Sequence, residues 1–344
     1  MLTSDGSGND PHPVGSHRHH QLLSGAKTDG PPVNKTFPPG EGAAPSALTL
    51  QDLPIKSVAV DERKISKFQH DQEFMPLAVE LLKEVGHITS LLACSYRLDE
   101  NNQPRKWRRN EAIVGGLFVR LVKLQMGVLG AVCDRHAEIA DILFRCLSET
   151  ILNIRYLILK GTPRLYDEFV EYSLREEKRL LQTIKKNIKN RGRTLPIEQR
   201  MISSIQRAFK QSGVNPKNVD ESKRTPWGEN IFKRAEAVGY GKAYQGIFGL
   251  PSHSVHGNWQ DLIHYHLEMV EEFYIPTPEW TRPRPQPVFV AALLSAEVGR
   301  LYLNTILPDC PDKQSLMDSL EDCIRRIRIA ENLHEKFLQR RRTP

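Results

Sequence analysis

The sequence predicts an all-α protein, a multi-helix bundle that follows a disordered N-terminal tail. From Asp61 onward, apolar residues recur at spacings of three and four, and no stretch of useful length alternates polar with apolar residues. The first 50 positions hold seven Pro and seven Gly and show almost no apolar periodicity. Because such a segment buries too little surface to offset its ordering entropy, we expect residues 1–55 to be a disordered tail.

Local signals delimit the predicted helices. Pro76 can open a helix at its first turn, Gly161 can end one, and Pro163 restarts the chain. The polar stretch 101–104 indicates a turn. The pattern predicts helices over about 76–96, 105–133, 134–160, 163–190, 196–211, 229–238, 242–248, 288–307 and 312–341.

The order of these segments predicts how the chain is divided. Residues 61–275 form one helical domain, and the proline-rich stretch 276–287 is an extended linker. The last segment, 288–342, is a pair of helices that we expect to pack on the bundle.

Composition narrows the class of protein. The chain has 344 residues, a net charge of +7 and a pI of about 9.1, which favours an acidic partner such as nucleic acid, although solvated helix faces also collect Lys and Arg.

Its five cysteines include no C-x-x-C pair, and the N-terminus lacks a signal peptide, so we predict a cytoplasmic protein. The apolar stretch 112–133 contains Arg120 and Lys123, which favours a buried core helix over a membrane span.

The segment 250–257 and the helix predicted over 134–160 carry the polar residues that could do chemistry. Arg145 and Glu149 are spaced i, i+4 and can pair on one helix face. With His256 as proton acceptor and Arg145 as phosphate clamp, the three residues form a candidate catalytic group. The alternative is a buried network that only fixes helix packing. Candidate binding residues around the group are Tyr156, Tyr244, Ser252 and His253.

Two further patterns bear on binding. His253, His256, His264 and His266 raise the hypothesis of a metal-dependent hydrolase, but no Cys lies nearby, and we predict no metal site. No G-x-x-x-x-G-K, G-x-G-x-x-G or H-E-x-x-H occurs, and we predict no cofactor. Between Arg175 and Arg193 there are eight basic and two acidic residues, and the candidate binding residues in this run are Arg175, Lys178, Arg179, Lys185 and Lys186.

The order of several short motifs resembles the domain-of-unknown-function family 5677, a family of uncharacterised bacterial helical proteins. The matching motifs are Arg145-Cys-Leu-Ser-Glu149, Arg155-Tyr156-Leu157, Phe169-Val-Glu-Tyr172, Trp227, 235–239, Tyr244 and 252–257. The resemblance covers about residues 112–268 and implies a helical domain in which Arg145, Glu149, Ser252 and His256 occupy the family's polar positions. It implies no established activity.

The chain is also distantly similar to the HEPN helical bundles, which include RNases of toxin and phage-defence systems. Those RNases use an Arg with a His a few residues later, and no Arg precedes His253 or His256 at that spacing. Arg328 to His334 and Arg63 to His70 do fit, but chance alone would produce such matches in a chain with twelve His.

The sequence therefore favours a binding or interaction module for an acidic partner, either nucleic acid or an acidic protein. The alternative is a metal-independent, HEPN-like RNase in a toxin or phage-defence role. The sequence leaves open whether the chain is an enzyme and whether it forms a homo-oligomer.

Overall fold

The protein is represented by a computed structural model, which describes residues 56–101, 103–222 and 226–342. Most of these residues are helical, and the predicted all-α class is confirmed. The predicted tail, 1–55, lies outside the described residues. The α-helices are α1 Glu62–Ile65, α2 Met75–Cys94, α3 Arg109–Cys133, α4 Ala137–Lys160, α5 Pro163–Arg191, α6 Pro196–Ser212, α7 Ile231–Ala237, α8 Leu250–His256, α9 Trp259–Asp261, α10 Pro285–Ile306 and α11 Lys313–Arg342.

Two strands are present that the sequence did not predict. β1 (Leu267–Val270) and β2 (Phe273–Pro276) form an antiparallel hairpin in which Met269 lies opposite Tyr274 and Val270 lies opposite Phe273. A second difference concerns the segment before it. The helix predicted over 242–248 is instead a π-helical turn over Gln245–Gly249 that runs directly into α8.

Capping residues explain where the longest helices begin and end. The side chain of Thr162 accepts a hydrogen bond from the backbone N–H of Leu165, and Pro163 occupies the first turn of α5. Gly192 ends the same helix in the left-handed conformation with φ 77°. Pro163 is the signal from which the start of this helix was predicted, and the observed bounds differ from the prediction by one residue.

The main hydrophobic core is built from α2, α3, α4, α10 and α11. Phe118 of α3 stacks on Tyr302 of α10 with ring centroids 3.9 Å apart. Both of these helices are long and apolar enough to cross a membrane by length and composition alone. Core helices meet the same criteria, so the absence of a membrane span stays a prediction.

A buried ion pair joins the last helix to the first long one. Arg326 of α11 donates from both terminal nitrogens to the Glu84 carboxylate of α2, at 2.8 and 2.5 Å, and both side chains are buried. Arg326 also donates to the carbonyl of Val58, whose own N–H donates to Glu84 at 2.9 Å. Arg326 also donates to Asp322 of its own helix at 2.7 Å. Because the other hydrogen bonds join distant segments, this group fixes α11 against α2.

The first turns of α5 pack on the main core through Leu165, Tyr166 and Phe169. The rest of α5 and α6 form a two-helix arm with a small core of its own. The core of the arm consists of five buried residues that are not part of the main core: Leu174, Ile184, Ile205, Phe209 and Val219. Gly192 and Gly213 end its two helices in the left-handed conformation. The arm therefore buries most of its apolar residues on its inner side, and its outer side is mainly polar, with Leu180 and Ile197 as exposed apolar residues.

Candidate functional site

Arg145 and Glu149 form the ion pair that their spacing predicts. The Arg145 guanidinium donates to the Glu149 carboxylate at 2.9 Å, and the Arg145 side chain is 15% exposed while that of Glu149 is 43% exposed. Nε of Arg145 also donates to the hydroxyl of Ser252 on α8 at 3.0 Å, and that hydroxyl donates to the carbonyl of Phe248 at 2.6 Å. The guanidinium lies 5.4 Å from the Phe248 ring centroid. Together these contacts hold one arginine at the junction of α4 with α8.

A second guanidinium, which no sequence pattern indicated, lies on the same side of α4. Arg234 of α7 donates to the side-chain oxygen of Asn153 at 2.7 Å, one turn beyond Glu149, and its guanidinium lies 4.4 Å from the Trp227 ring centroid. Burial lowers the pKa of Arg234, and the nearby Glu149 carboxylate partly offsets that effect. No local spacing links residues 81 positions apart, so only the three-dimensional structure could reveal this neighbour.

Tyr156 and Tyr244 serve packing around these charges. Tyr156 is buried in the main core, where its ring meets Trp227 edge-on at 5.9 Å, and burial raises the pKa of its hydroxyl. Tyr244 stacks on Phe248 at 5.3 Å and contacts Phe232 edge-on at 5.0 Å. The Arg145 guanidinium is therefore backed by an aromatic cluster on its α8 side.

The predicted catalytic His256 lies one helical turn after Ser252 on α8 but is not among the residues that hydrogen-bond in this group. His256 is the exposed last residue of α8, and among the described residues it forms no hydrogen bond or ion pair with Arg145 or Glu149. Nδ1 of His253 lies 2.7 Å from the side-chain amide of Asn258. Ser252 is the only member of the segment 252–257 that hydrogen-bonds Arg145 within the described part of the chain. The three groups that meet are a guanidinium, a carboxylate and a hydroxyl.

The other histidines are also separated by their contacts. Nε2 of His266 lies 3.4 Å from the Asp261 carboxylate, and the ring of His264 packs edge-on against Tyr265. In residues 56–101, 103–222 and 226–342, no group of three or more His, Cys, Asp or Glu side chains could hold a metal ion.

The arm divides the five predicted basic binding residues into two sets. Arg175 is buried and lies over the Tyr172 ring, at 5.4 Å from its centroid. Lys178 donates to the carbonyl of Val219 at 2.8 Å, and Arg179 donates to the carbonyl of Glu221 at 3.0 Å. Lys178 and Arg179 thereby hold the loop after α6 against α5. Lys185 and Lys186, nearer the tip, are exposed.

The exposed cations extend well beyond the predicted run. We define the distal arm as residues 180–217, which contain nine basic residues and a single acidic one, Glu198. All nine are exposed, and Glu198 already pairs with Arg191. The eight others form no ion pair with any described residue: Lys185, Lys186, Lys189, Arg193, Arg200, Arg207, Lys210 and Lys217.

Comparison with known proteins gives one finding. Residues 111–273 match the model of a family of unknown function, DUF5677, and the match runs from α3 into the hairpin. This confirms the resemblance predicted over about 112–268, whereas the HEPN-like similarity stays a prediction. No curated protein and no solved structure matches the chain.

Proposed function

We propose that this chain, whose residues 111–273 match the DUF5677 family model, binds nucleic acid through the phosphate backbone, with the distal arm as the contact surface. The observation that supports this proposal is the concentration of positive charge. The distal arm carries nine basic residues against one acidic residue, a net +8, whereas the whole chain carries +7. The rest of the chain is therefore close to neutral, with a net charge of −1.

The geometry of the arm supports a polyanionic partner. Its apolar side chains close the interior between α5 and α6, so the cations lie on the outer surface. Eight like charges that have no acidic neighbour repel one another, and an anionic partner would relieve that repulsion. Within the distal arm, residues 180–191 of α5 span about 18 Å and the 17 residues of α6 about 26 Å, which allows several lysines and arginines to face successive phosphates at once.

The residue types favour contact with phosphates over the reading of bases. Phe209 is the only aromatic residue of the distal arm, and it is buried in the arm's core. The arm therefore offers no exposed ring for base stacking, which single-strand readers use. Contacts to phosphate position a protein on nucleic acid but carry no sequence information, so we expect binding without sequence preference.

The test is fluorescence anisotropy of a labelled duplex titrated with the full chain in low salt. Three lysines of the distal arm are replaced in one variant, Lys185→Gln, Lys186→Gln and Lys189→Gln. We expect the Kd to rise at least tenfold, because each lost phosphate contact removes a share of the released counterions. A matched control replaces three exposed lysines of the body, Lys106→Gln, Lys242→Gln and Lys336→Gln, and should keep the parent's Kd.

Three results would overturn the proposal. One is the absence of duplex binding by the parent chain at low salt. Another is equal loss of affinity in the arm variant and the body variant, which would indicate nonspecific attraction by total charge. If vesicles containing anionic lipid bind through the same lysines while the duplex does not, the arm's partner is a membrane surface and the proposal is wrong.

RNA cleavage is the alternative function, and the same protein preparation tests it. Arg145 and Ser252 could hold a phosphate in place of the Glu149 carboxylate, but their hydrogen-bond partners include no imidazole that could accept a proton. For this reason we rank binding ahead of cleavage. Incubation of RNA with the chain in chelator, followed by gel electrophoresis, should leave the RNA intact, whereas cleavage that is lost in His256→Ala would favour the RNase.

A further inference from the structure

Two guanidinium groups and one carboxylate meet along a single face of α4. Arg145, Glu149 and Asn153 are spaced i, i+4 and i+8, so they follow one another on this face. Arg145 donates to Glu149 directly, and Arg234 reaches the same face by donating to Asn153 at 2.7 Å. Arg234 is 5% exposed, and the side chain of Arg145 is 15% exposed. Two cations that are largely removed from water therefore lie beside a carboxylate that forms an ion pair with only one of them.

The hydrogen bonds of Arg234 are incomplete. A guanidinium has five N–H donors in a rigid fork. In the described part of the chain, Arg234 donates only from Nη1 to Asn153, and its Nε is buried without a partner. Burial lowers the pKa of Arg234, the Glu149 carboxylate opposes this shift, and the charge of Arg145 adds to it. An anion held beside Arg234 would pair with donors that the protein leaves open.

We propose that this face of α4 binds a small phosphate dianion, either inorganic phosphate or the phosphoryl group of a small phosphomonoester, which takes the place of the Glu149 carboxylate between Arg145 and Arg234. The side chain of Glu149 is 43% exposed, so it can turn toward solvent without leaving a buried charge behind. Arg145 keeps its position after this movement, because its Nε donates to Ser252 and its guanidinium packs on the Phe248 ring. The terminal nitrogens of Arg145 are then available to phosphate oxygens.

The charge balance favours a dianion over a carboxylate. The two guanidinia and Glu149 together leave one positive charge in excess. Glu149 is tethered to the same helix, so it competes with any ligand at an effective concentration at least on the order of millimolar. A monoanion would only repeat the contacts of Glu149, whereas a phosphoryl group with a charge of about −2 offers three acceptor oxygens and can accept from both guanidinia.

The same balance separates this site from the distal arm. Each phosphate of a nucleic-acid backbone is a diester with a single charge, and it would gain no more than Glu149 already supplies. The rings that pack on the two guanidinia, Trp227 and Phe248, are buried, so neither is open to a stacking nucleobase. The ligand is therefore recognised by its phosphoryl group.

The first test removes the competing carboxylate. Isothermal titration calorimetry measures the binding of inorganic phosphate to the full chain in buffers of equal ionic strength. We expect Glu149→Gln to bind phosphate at least tenfold more tightly than the parent, because phosphate no longer displaces a tethered anion. Glu80→Gln, which removes the carboxylate partner of the exposed Lys83, makes the same change of charge elsewhere and should keep the parent's affinity. Adding Arg234→Gln to Glu149→Gln should lower the affinity again at least tenfold.

The second test compares anions on the parent chain by the change that each causes in the melting temperature, at equal concentration and ionic strength. Glycerol 3-phosphate should raise the melting temperature, since a ligand that binds the folded state stabilises it, whereas the monoanions acetate and dimethyl phosphate should not. Stronger binding of glycerol 3-phosphate than of inorganic phosphate would identify the ligand as a phosphorylated small molecule, and equal binding would identify it as phosphate itself.

Three results would contradict this site. Equal affinity of Glu149→Gln and Glu80→Gln for phosphate would overturn it, and a damaged fold cannot imitate the expected gain. Equal shifts by glycerol 3-phosphate and acetate would show that the site does not select a dianion. The lysine variant of the distal arm should bind phosphate as the parent does, and loss of phosphate binding in that variant would place the phosphate on the arm.

Discussion

The helical body and the distal arm use charged residues in opposite ways. In the body, Glu84 and Arg326 are buried and satisfy each other across two helices, and the buried Arg234 donates to Asn153. In the distal arm, eight exposed cations have no acidic partner among the described residues. Desolvation makes an unpaired charge costly inside a protein, whereas at the surface it remains available to an external anion. The buried charges of the body therefore specify packing, and the eight unpaired cations of the arm are available to an external anion.

The largest expected effect is at the buried pair of the body. Replacing Glu84 with Gln leaves the buried Arg326 with Asp322 of its own helix as its remaining carboxylate partner, and we expect the free energy of unfolding to fall by about 3 kcal/mol. Denaturant unfolding followed by circular dichroism measures this. Glu80→Gln removes the exposed partner of Lys83 and should change stability by less than about 1 kcal/mol. Similar values for both variants would remove the distinction between buried and exposed charges.

Arg145 should contribute to the stability of the fold and not to the binding of nucleic acid. Arg145→Ala removes charge-assisted hydrogen bonds to Glu149 and Ser252, and we expect a loss of about 2 kcal/mol in unfolding free energy. Its Kd for a nucleic-acid duplex should stay within about threefold of the parent, the spread of a neutral substitution. The lysine variant of the distal arm should show the reverse, with weak binding and unchanged stability. A large loss of duplex affinity in Arg145→Ala would bring the α4 site into the binding surface.

A smaller effect on stability is expected at two residues in the left-handed conformation, Arg135 in the body and Gly192 in the arm. Arg135, between α3 and α4, has φ 63°, in the left-handed region that disfavours residues with a Cβ. Arg135→Gly should therefore raise the free energy of unfolding by about 1 kcal/mol. Gly192, at the end of α5, has φ 77° and open space where a Cβ would lie, so Gly192→Ala should lower it by about 1 kcal/mol through backbone strain alone. Thermal or denaturant unfolding measures both variants. Changes of the same sign in the free energy of unfolding would contradict this prediction.

The smallest expected effect on stability is at Asp141, which accepts a hydrogen bond from Tyr265 just before the hairpin. Burial raises the pKa of Asp141 above its ordinary value of 3.8, although the hydroxyl of Tyr265 opposes the shift. Because the folded-state pKa is the higher one, ionisation of Asp141 weakens stability as the pH rises through it. The uncharged variant Asp141→Asn should be the more stable protein at neutral pH, and its advantage should shrink as the pH falls toward the ordinary pKa of an aspartate, about 4. A difference that does not change with pH would contradict the raised pKa.

The sequence predicted those parts of the fold that local signals determine. The bounds of α5 follow from Thr162, Pro163 and Gly192, whose effects act within a turn of the helix end. The hairpin was missed for a physical reason. Its residues are apolar on both faces, so the strands lack the alternation of polar and apolar residues by which a half-buried strand is recognised.

The candidate site was predictable only where its residues are close in sequence. The pairing of Arg145 with Glu149 follows from helical spacing, but Arg234 and Asn153 come from separate segments. The basic run was found, yet Arg175, Lys178 and Arg179 contact the arm's own side chains and loop. Which face of a helix is covered depends on tertiary packing, and residue counts along the chain do not contain that information.

The most direct test of the central claim is the salt dependence of duplex binding. We expect the logarithm of the association constant to fall linearly with the logarithm of the KCl concentration. The slope for the variant Lys185→Gln, Lys186→Gln and Lys189→Gln should be shallower than the parent's by about 2–3 units, since each phosphate contact contributes about 0.9. Equal slopes for the parent and this variant would show that the distal arm does not contact the phosphates.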